Sequence, residues 1–214
     1  MLTKKRILIT AGPTYERIDP VRFIGNYSSG KMGFALACAC ADAGAEVVLI
    51  SGPVQQQIDH RRVKRIDVES AEQMYEAATH YFPQCDGAVL CAAVADFTPV
   101  AVASEKIKRK GDNLLIELRP TCDIAAALGN RKRTDQFLVG FALETHDEEA
   151  HAREKMQRKN FDFIVLNSLA DAKAGFGYDT NKITILKASG EKLAFPLKPK
   201  TEVAADIVAE LERL

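Results

Sequence analysis

Six short strand-like runs separated by helical patterns constrain this chain more than any single motif. They are Arg6–Thr10 (RILIT), Glu46–Ser51 (EVVLIS), Val63–Val68, Asp86–Val94 (DGAVLCAAV), Gln136–Leu143 (QFLVGFAL) and Phe161–Leu166 (FDFIVL). Most are continuously apolar without strict alternation, the pattern of strands buried on both faces, as in a parallel sheet covered by helices. Between them the spacing predicts helices over Met32–Ala43, closed by Gly44 at C′, over Ala71 to about Tyr81, and over about Glu148–Lys159. A final helix is predicted over about Lys200–Leu214. The fold class is α/β, a mainly parallel sheet with helices on both faces.

Two regions break the rhythm. Between Asp96 and Leu118 there is no helical period, only a basic run, Gly111-Asp112-Asn113, and a short strand, LLIEL. After Asn167 come Gly175-Phe176-Gly177-Tyr178-Asp179 and two apolar stretches, KITILKA and KLAFPLK, which Ser189-Gly190 joins as a β-hairpin. The hairpin is expected to be either a subdomain or an oligomer contact. All 214 residues, 47% of them hydrophobic, suffice for one generous core, so residues 1–214 read as one domain.

Charge narrows the partners. Twenty-nine basic and 29 acidic residues cancel, so no nucleic-acid partner is expected and any anion site must be built locally. No apolar run approaches a membrane span, and Met-Leu-Thr-Lys-Lys-Arg leads straight into a strand rather than a signal peptide. Cys38, Cys40, Cys85, Cys91 and Cys122 contain no C-x-x-C and read as reduced thiols of a cytoplasmic protein.

The local anion site is expected at Gly25-Asn26-Tyr27-Ser28-Ser29-Gly30-Lys31-Met32-Gly33, where free amides at a helix start favour phosphate or carboxylate. The stretch nearly spells a P-loop, but Met32 stands where the magnesium-binding hydroxyl belongs. The connection before it, about 20 residues against the usual two to six, carries Thr14, Glu16, Arg17, Asp19, Arg22, Asn26, Ser28 and Ser29. Either these polar groups meet a ligand at the sheet's carboxyl end, or the loop packs on itself with Arg22 paired to Asp19.

Four further segments present chemistry. Small residues at Ala92, Ala93 and Ala95 admit a flat group, with Asp96 placed to accept from a base or ribose, to hold magnesium, or simply to cap a turn. Lys106-Ile107-Lys108-Arg109-Lys110 is either a solvated face or a cover for a polyphosphate. Thr121 is the expected N-cap of an alanine-rich helix, with Cys122 in its first turn and its pKa somewhat lowered. Lys155 and Lys159 lie one helical turn apart; Glu154 and Arg158 neutralise each other, leaving the lysine stripe open to an anion. Phe141 reads by type as core. There is no G-x-G-x-x-G after a strand, no Cys/His metal cluster and no G-x-S-x-G elbow.

In order along the chain, ILITAGPTYERIDPVRFIGNYSSGKMG, EVVLISGPV, AAVADF, EKIKRK, the TCDIA helix start, VGFALET, the K-x-x-x-K helix and GFGYDTN resemble the phosphopantothenate–cysteine ligase family. That resemblance implies a Rossmann-like fold and a homodimer. It also implies CTP with magnesium, which activates 4′-phosphopantothenate as an acyl-cytidylate that L-cysteine then attacks. Carried across, the nucleotide positions are Asp96, Lys106, Cys122, Asp123, Ile124, Ala125, Phe141, Lys155 and Lys159. Asn26, with Arg22 nearby and Ala93 lining the site, would grip the acyl intermediate, and Ser28, Ser29 and Gly30 belong to the anion loop. Lys106 would sit on a flap, about residues 97–118, beside the C-terminal hairpin at about 181–198 as a second insertion.

The chain departs from the family at Pro120-Thr121-Cys122-Asp123, where many members have Asn-Pro-Asp, so Cys122 would touch nucleotide through its backbone only. Arg109 stands where a lysine is commoner. Many bacterial members are fused behind a flavin-dependent decarboxylase; no flavin is expected in this chain, which is either a stand-alone ligase or one part of a bifunctional protein. A P-loop-like phosphotransferase and a non-catalytic nucleotide-binding module are the alternative functions.

Overall fold

The computed structural model describes residues 1–109, 111, 113–144, 148–168 and 177–214. Lys110 of the basic run, Asp112, the Thr145 that ends VGFALET, His146 and Gly175-Phe176 therefore lie outside the described residues.

In chain order the elements are β1 (Arg6–Ala11), β2 (Tyr15–Arg17), β3 (Phe23–Gly25), α1 (Lys31–Asp42), β4 (Glu46–Ser51), β5 (Val63–Asp67), α2 (Ala71–Tyr81), β6 (Gly87–Leu90), β7 (Phe97–Pro99) and β8 (Leu118–Pro120). They continue as α3 (Ile124–Arg131), β9 (Phe137–Glu144), α4 (Glu148–Arg158), β10 (Phe163–Ser168), β11 (Thr180–Asn181), β12 (Ile183–Lys187), β13 (Lys192–Ala194), β14 (Lys198–Pro199) and α5 (Lys200–Leu211). Eight strands form one sheet in the order β13-β12-β10-β9-β6-β1-β4-β5. From β10 to β5 all pairings are parallel, while β12 joins β10, and β13 joins β12, antiparallel. This is the Rossmann-like arrangement, and the C-terminal hairpin is its antiparallel edge rather than a separate subdomain.

Residue parity sorts the core into two layers. Ile7, Ile9, Val47, Leu49, Val89, Val139 and Val165 face α1 and α5. Leu8, Val48, Ile50, Ala88, Leu138 and Ile164 face α2, α3 and α4. Gly33 lets α1 sit close on β1, since a Cβ there would stand 2.5 Å from that of Ala11.

Two expectations are corrected. The strand expected over Asp86–Val94 stops at Leu90: β1 turns away at Gly12, and the chain follows it out of the sheet, Ala92 N donating to Thr10 Oγ1 and Ala93 N to the Gly12 carbonyl. LLIEL is not a strand; only Leu118 pairs, in the β7–β8 ribbon that brackets residues 100–117. Within the long first connection β2 and β3 pair, and Tyr15 stacks on Phe23 at 3.8 Å between ring centroids.

Candidate active site

The connection from β1 to α1 divides into two halves. In the first, every polar side chain of the set is committed to the protein. Thr14 Oγ1 accepts from Ala95 N (2.9 Å), buried Glu16 accepts from Ala71 N at the start of α2 (2.8 Å), and Arg17 pairs with Glu69 (2.6 Å). Asp19 is buried and accepts from the amides of Val21, Arg22 and Ile107 and from the Arg22 guanidinium. Burial alone would push its carboxyl up, but Arg22 and those amides hold it far below the usual carboxylate range. Arg22 Nη2 also donates to the Ile107 carbonyl (2.7 Å), so the Asp19–Arg22 pair grips both sides of Ile107, the neighbour of Lys106.

The second half faces a cavity. Asn26, Ser28, Ser29 and Gly30 line it, and Asn26 Nδ2 donates to the carbonyls of Ala93 (3.0 Å) and Val94 (3.2 Å). Gly30, at φ 75°, ends the loop as the N-cap of α1 with no side-chain cap, so the first amides of that helix are left for a ligand.

The cavity, about 500 Å³, sits at the carboxyl edge of the sheet, where β1, β6, β9 and β10 end. Its lining brings together Asn26, Ser28, Ser29, Gly30, Ala93, Asp96, Cys122, Asp123, Ile124, Ala125, Phe141, Lys155 and Lys159. Arg22 and Lys106 do not line it: Arg22 is taken up by Asp19 and Ile107, and Lys106 is exposed on the segment they hold.

The helix start at Cys122 differs from expectation. The N-cap of α3 is Asp123, which accepts from Ala126 N (2.9 Å), while Thr121 Oγ1 instead donates to the Ala95 carbonyl (2.7 Å). Cys122 thus precedes the helix, and its thiol is raised, not lowered, by burial and by the Glu72 carboxylate 3.7 Å away. The lysine stripe is not wholly open either. Lys159 pairs with Asp123 at 2.8 Å, because α3 delivers its capping carboxylate to the end of α4, and Lys155 Nζ donates to the Phe141 carbonyl (3.4 Å). Burial works against the Asp123 carboxylate, but Lys159 and the Ala126 amide lower its pKa on balance. Phe141 is both core and wall, packed against the α1–α5 layer while lining the cavity.

Lys31, within the stretch read as the anion site, also lines the cavity, as do Asn181 at the end of GFGYDTN, Asn167 and Lys200, the last three with no site role expected from the sequence. Among the described residues no group of three or more His, Cys, Asp or Glu could hold a metal ion, and no helix is long and apolar enough to cross a membrane.

A family model described as the DNA/pantothenate metabolism flavoprotein C-terminal domain matches residues 2–214. The chain belongs to this family. Over 213 residues it is 46% identical to the Coenzyme A biosynthesis bifunctional protein CoaBC of Bacillus subtilis, covering 100% of this chain and 52% of that protein. It is 55% identical over 210 residues to a protein named Cysteine/Cysteine sulfinic acid decarboxylase from an unknown prokaryotic organism, covering 98% of this chain and 58% of that one. The chain therefore spans little more than half the length of these curated relatives. The crystal structure of the C-terminal domain of a CoaBC superposes with a TM-score of 0.84 at 42% identity, covering 99% of this chain and 95% of that domain. A mutant Cab2 complexed with phosphopantothenate-cysteine shares the fold at 16% identity and a TM-score of 0.76, over 98% of this chain and 87% of that one.

Proposed function

We propose that the chain ligates 4′-phosphopantothenate to L-cysteine, using CTP and releasing CMP and pyrophosphate. One observation carries the reading: Asn26 with Ala93, Asp96, the Cys122–Ala125 turn, Phe141 and the Lys155–Lys159 stripe come from distant segments yet line a single cavity. The names of the CoaBC relatives support the same chemistry.

In the first half-reaction a carboxylate oxygen of phosphopantothenate attacks the α-phosphorus of CTP, and pyrophosphate leaves with the electron pair of the broken P–O bond. In the second, the amine of cysteine attacks the acyl carbon, CMP leaves, and the amine's proton passes to solvent. The protein contributes placement and cationic stabilisation rather than a nucleophile. The cavity thiols suit that division: burial pushes Cys91 up to about 12, and Cys122 is raised as well, so neither is a ready thiolate. Asn26, anchored on the Ala93–Val94 backbone, holds the acyl group, and Lys155 and Lys159 take nucleotide oxygens.

Lys106 acts from the flap, which the Asp19–Arg22 pair holds near its middle at Ile107. Asp96 and the buried Oδ1 of Asn167, which has no hydrogen-bond partner among the described residues, are wall oxygens that fit a magnesium ion carried in on phosphates. When bound, that ion neutralises phosphate charge. We place the reaction in the cytoplasm, in a homodimer, with flavin-dependent decarboxylation supplied by another domain or protein.

The deciding experiment incubates the pure protein with phosphopantothenate, cysteine and each nucleotide in turn and identifies products by mass. Phosphopantothenoylcysteine with CMP is the expected result. A newly phosphorylated acceptor would establish a phosphotransferase instead, and CTP binding without pyrophosphate release would leave only a nucleotide-binding module.

A further inference from the structure

The cavity has a second cationic wall that the nucleotide contacts above leave unassigned. Lys155 and Lys159 reach the cavity from the α4 side of the sheet, whereas Lys31 and Lys200 reach it from α1 and α5 on the opposite side.

The second pair stands where the helix dipole and burial disfavour a cation. Lys31 and Lys200 are the first residues of α1 and α5, where the helix dipole disfavours cations, and neither helix has a side-chain N-cap. Lys200 is also only 7% exposed. Burial, reinforced by Lys31, pushes its ammonium below the ordinary lysine value, with Asp179 and Cys91 offsetting part of the effect. Asp179 pairs with Lys31 at 2.5 Å but is itself almost fully exposed. Between the two helix starts lies Asn181, 1% exposed, whose Nδ2 meets the Met32 sulfur at 3.9 Å. A thioether is a weak acceptor, and Met32 is the residue that replaces the P-loop hydroxyl. Two helix starts without side-chain caps, the first amide of α5 alone being taken by the Asp179 carbonyl, two ammonium groups and an underused amide together favour an acceptor-rich polyanion over a carboxylate with its two oxygens.

We propose that the Lys31–Asn181–Lys200 wall is a pyrophosphate subsite, which holds the two terminal phosphates of a nucleoside triphosphate and keeps pyrophosphate as it leaves. The binding claim stands alone; the catalytic one rests on the ligase reading. There, the bond between the α-phosphorus and its α–β bridging oxygen breaks, the electron pair stays on that oxygen, and the two lysines stabilise the growing charge without transferring a proton.

Calorimetric titration of the purified protein with inorganic pyrophosphate, CMP and CTP tests this. Lys200→Met should weaken pyrophosphate and CTP at least about tenfold and leave CMP within about twofold. Lys155→Ala should weaken CMP and CTP and spare pyrophosphate. Because Lys200 also donates to the Tyr178 carbonyl, Lys31→Gln at the more accessible helix start is the companion variant and should act in the same direction. Unchanged pyrophosphate affinity in both variants, or a parallel fall in CMP affinity, overturns the subsite. Pyrophosphate bound through Lys200 in a protein that forms no phosphopantothenoylcysteine sinks the ligase reading and leaves the subsite standing. Product formation with pyrophosphate affinity unaltered in both variants does the reverse.

Discussion

The two halves of the β1–α1 connection are alike in composition and opposite in use. Thr14 to Arg22 is as polar as Asn26 to Gly30, yet its hydroxyl, carboxylates and guanidiniums are satisfied by Ala95, Ala71, Glu69 and Ile107. The later residues line a cavity: Asn26 spends Nδ2 on the Ala93 and Val94 carbonyls, but the start of α1, which has no side-chain cap, opens onto it. Polarity therefore does not mark a binding loop; unspent hydrogen-bonding capacity does. The division also ranks substitutions: the second half should govern turnover, the first half stability.

Asn26→Asp should have the largest effect. It keeps the size of the side chain but replaces two donors to the Ala93–Val94 backbone with a charge beside a carboxylate substrate. The expected result is a fall in kcat of about 10²–10³-fold, the scale of removing one preorganised polar group from a reacting centre, with CTP affinity and unfolding midpoint unchanged. Wild-type turnover would erase the distinction between the halves.

Asp19→Asn should invert that pattern, with damage to folding first. It leaves Arg22 without its counter-charge and loosens Ile107, so the thermal midpoint should drop by about 5 °C or more and trypsin should cut faster after Lys106, Lys108 or Arg109. The pH dependence has a definite sign. The native carboxyl titrates below its ordinary value of 3.8, so its contribution is complete above that value and erodes as pH falls beneath it. The gap between wild type and variant should therefore be constant near neutrality and close as the solution is acidified below about pH 4. A gap that widens in acid would remove Asp19 from this role.

Local information was legible where local physics decides. Glu46–Ser51 and Ala71–Tyr81 match the structure residue for residue, the latter because Ser70 and Gln73 form a capping box. The Asp19–Arg22 pair, three residues apart, was foreseeable for the same reason. Misreadings arose where a distant partner intervenes: β6 stops short because Thr10 and Gly12 capture the following amides, and Thr121 loses the capping position because Ala95 takes its hydroxyl. At the site, the resemblance supplied residues from Asn26 to Lys159, but nothing in the ordered motifs placed Lys200 or Asn181 beside Met32, some 150 or more positions earlier in the chain.

Glu16→Gln is the mildest probe and the sharpest on the structural half. The wild-type carboxylate receives the first amide of α2 at 2.8 Å from a buried position, so its charge also meets the positive end of that helix. Glutamine retains an oxygen for the amide and loses the charge. A loss of about 1 kcal/mol in urea unfolding, with turnover within about twofold of wild type, is expected. The carboxylate contacts α2 while its loop continues into Asn26, so a kinetic loss at full stability would mean that α2 helps set the loop's working position. The first half would then be a lever on the second rather than its scaffold.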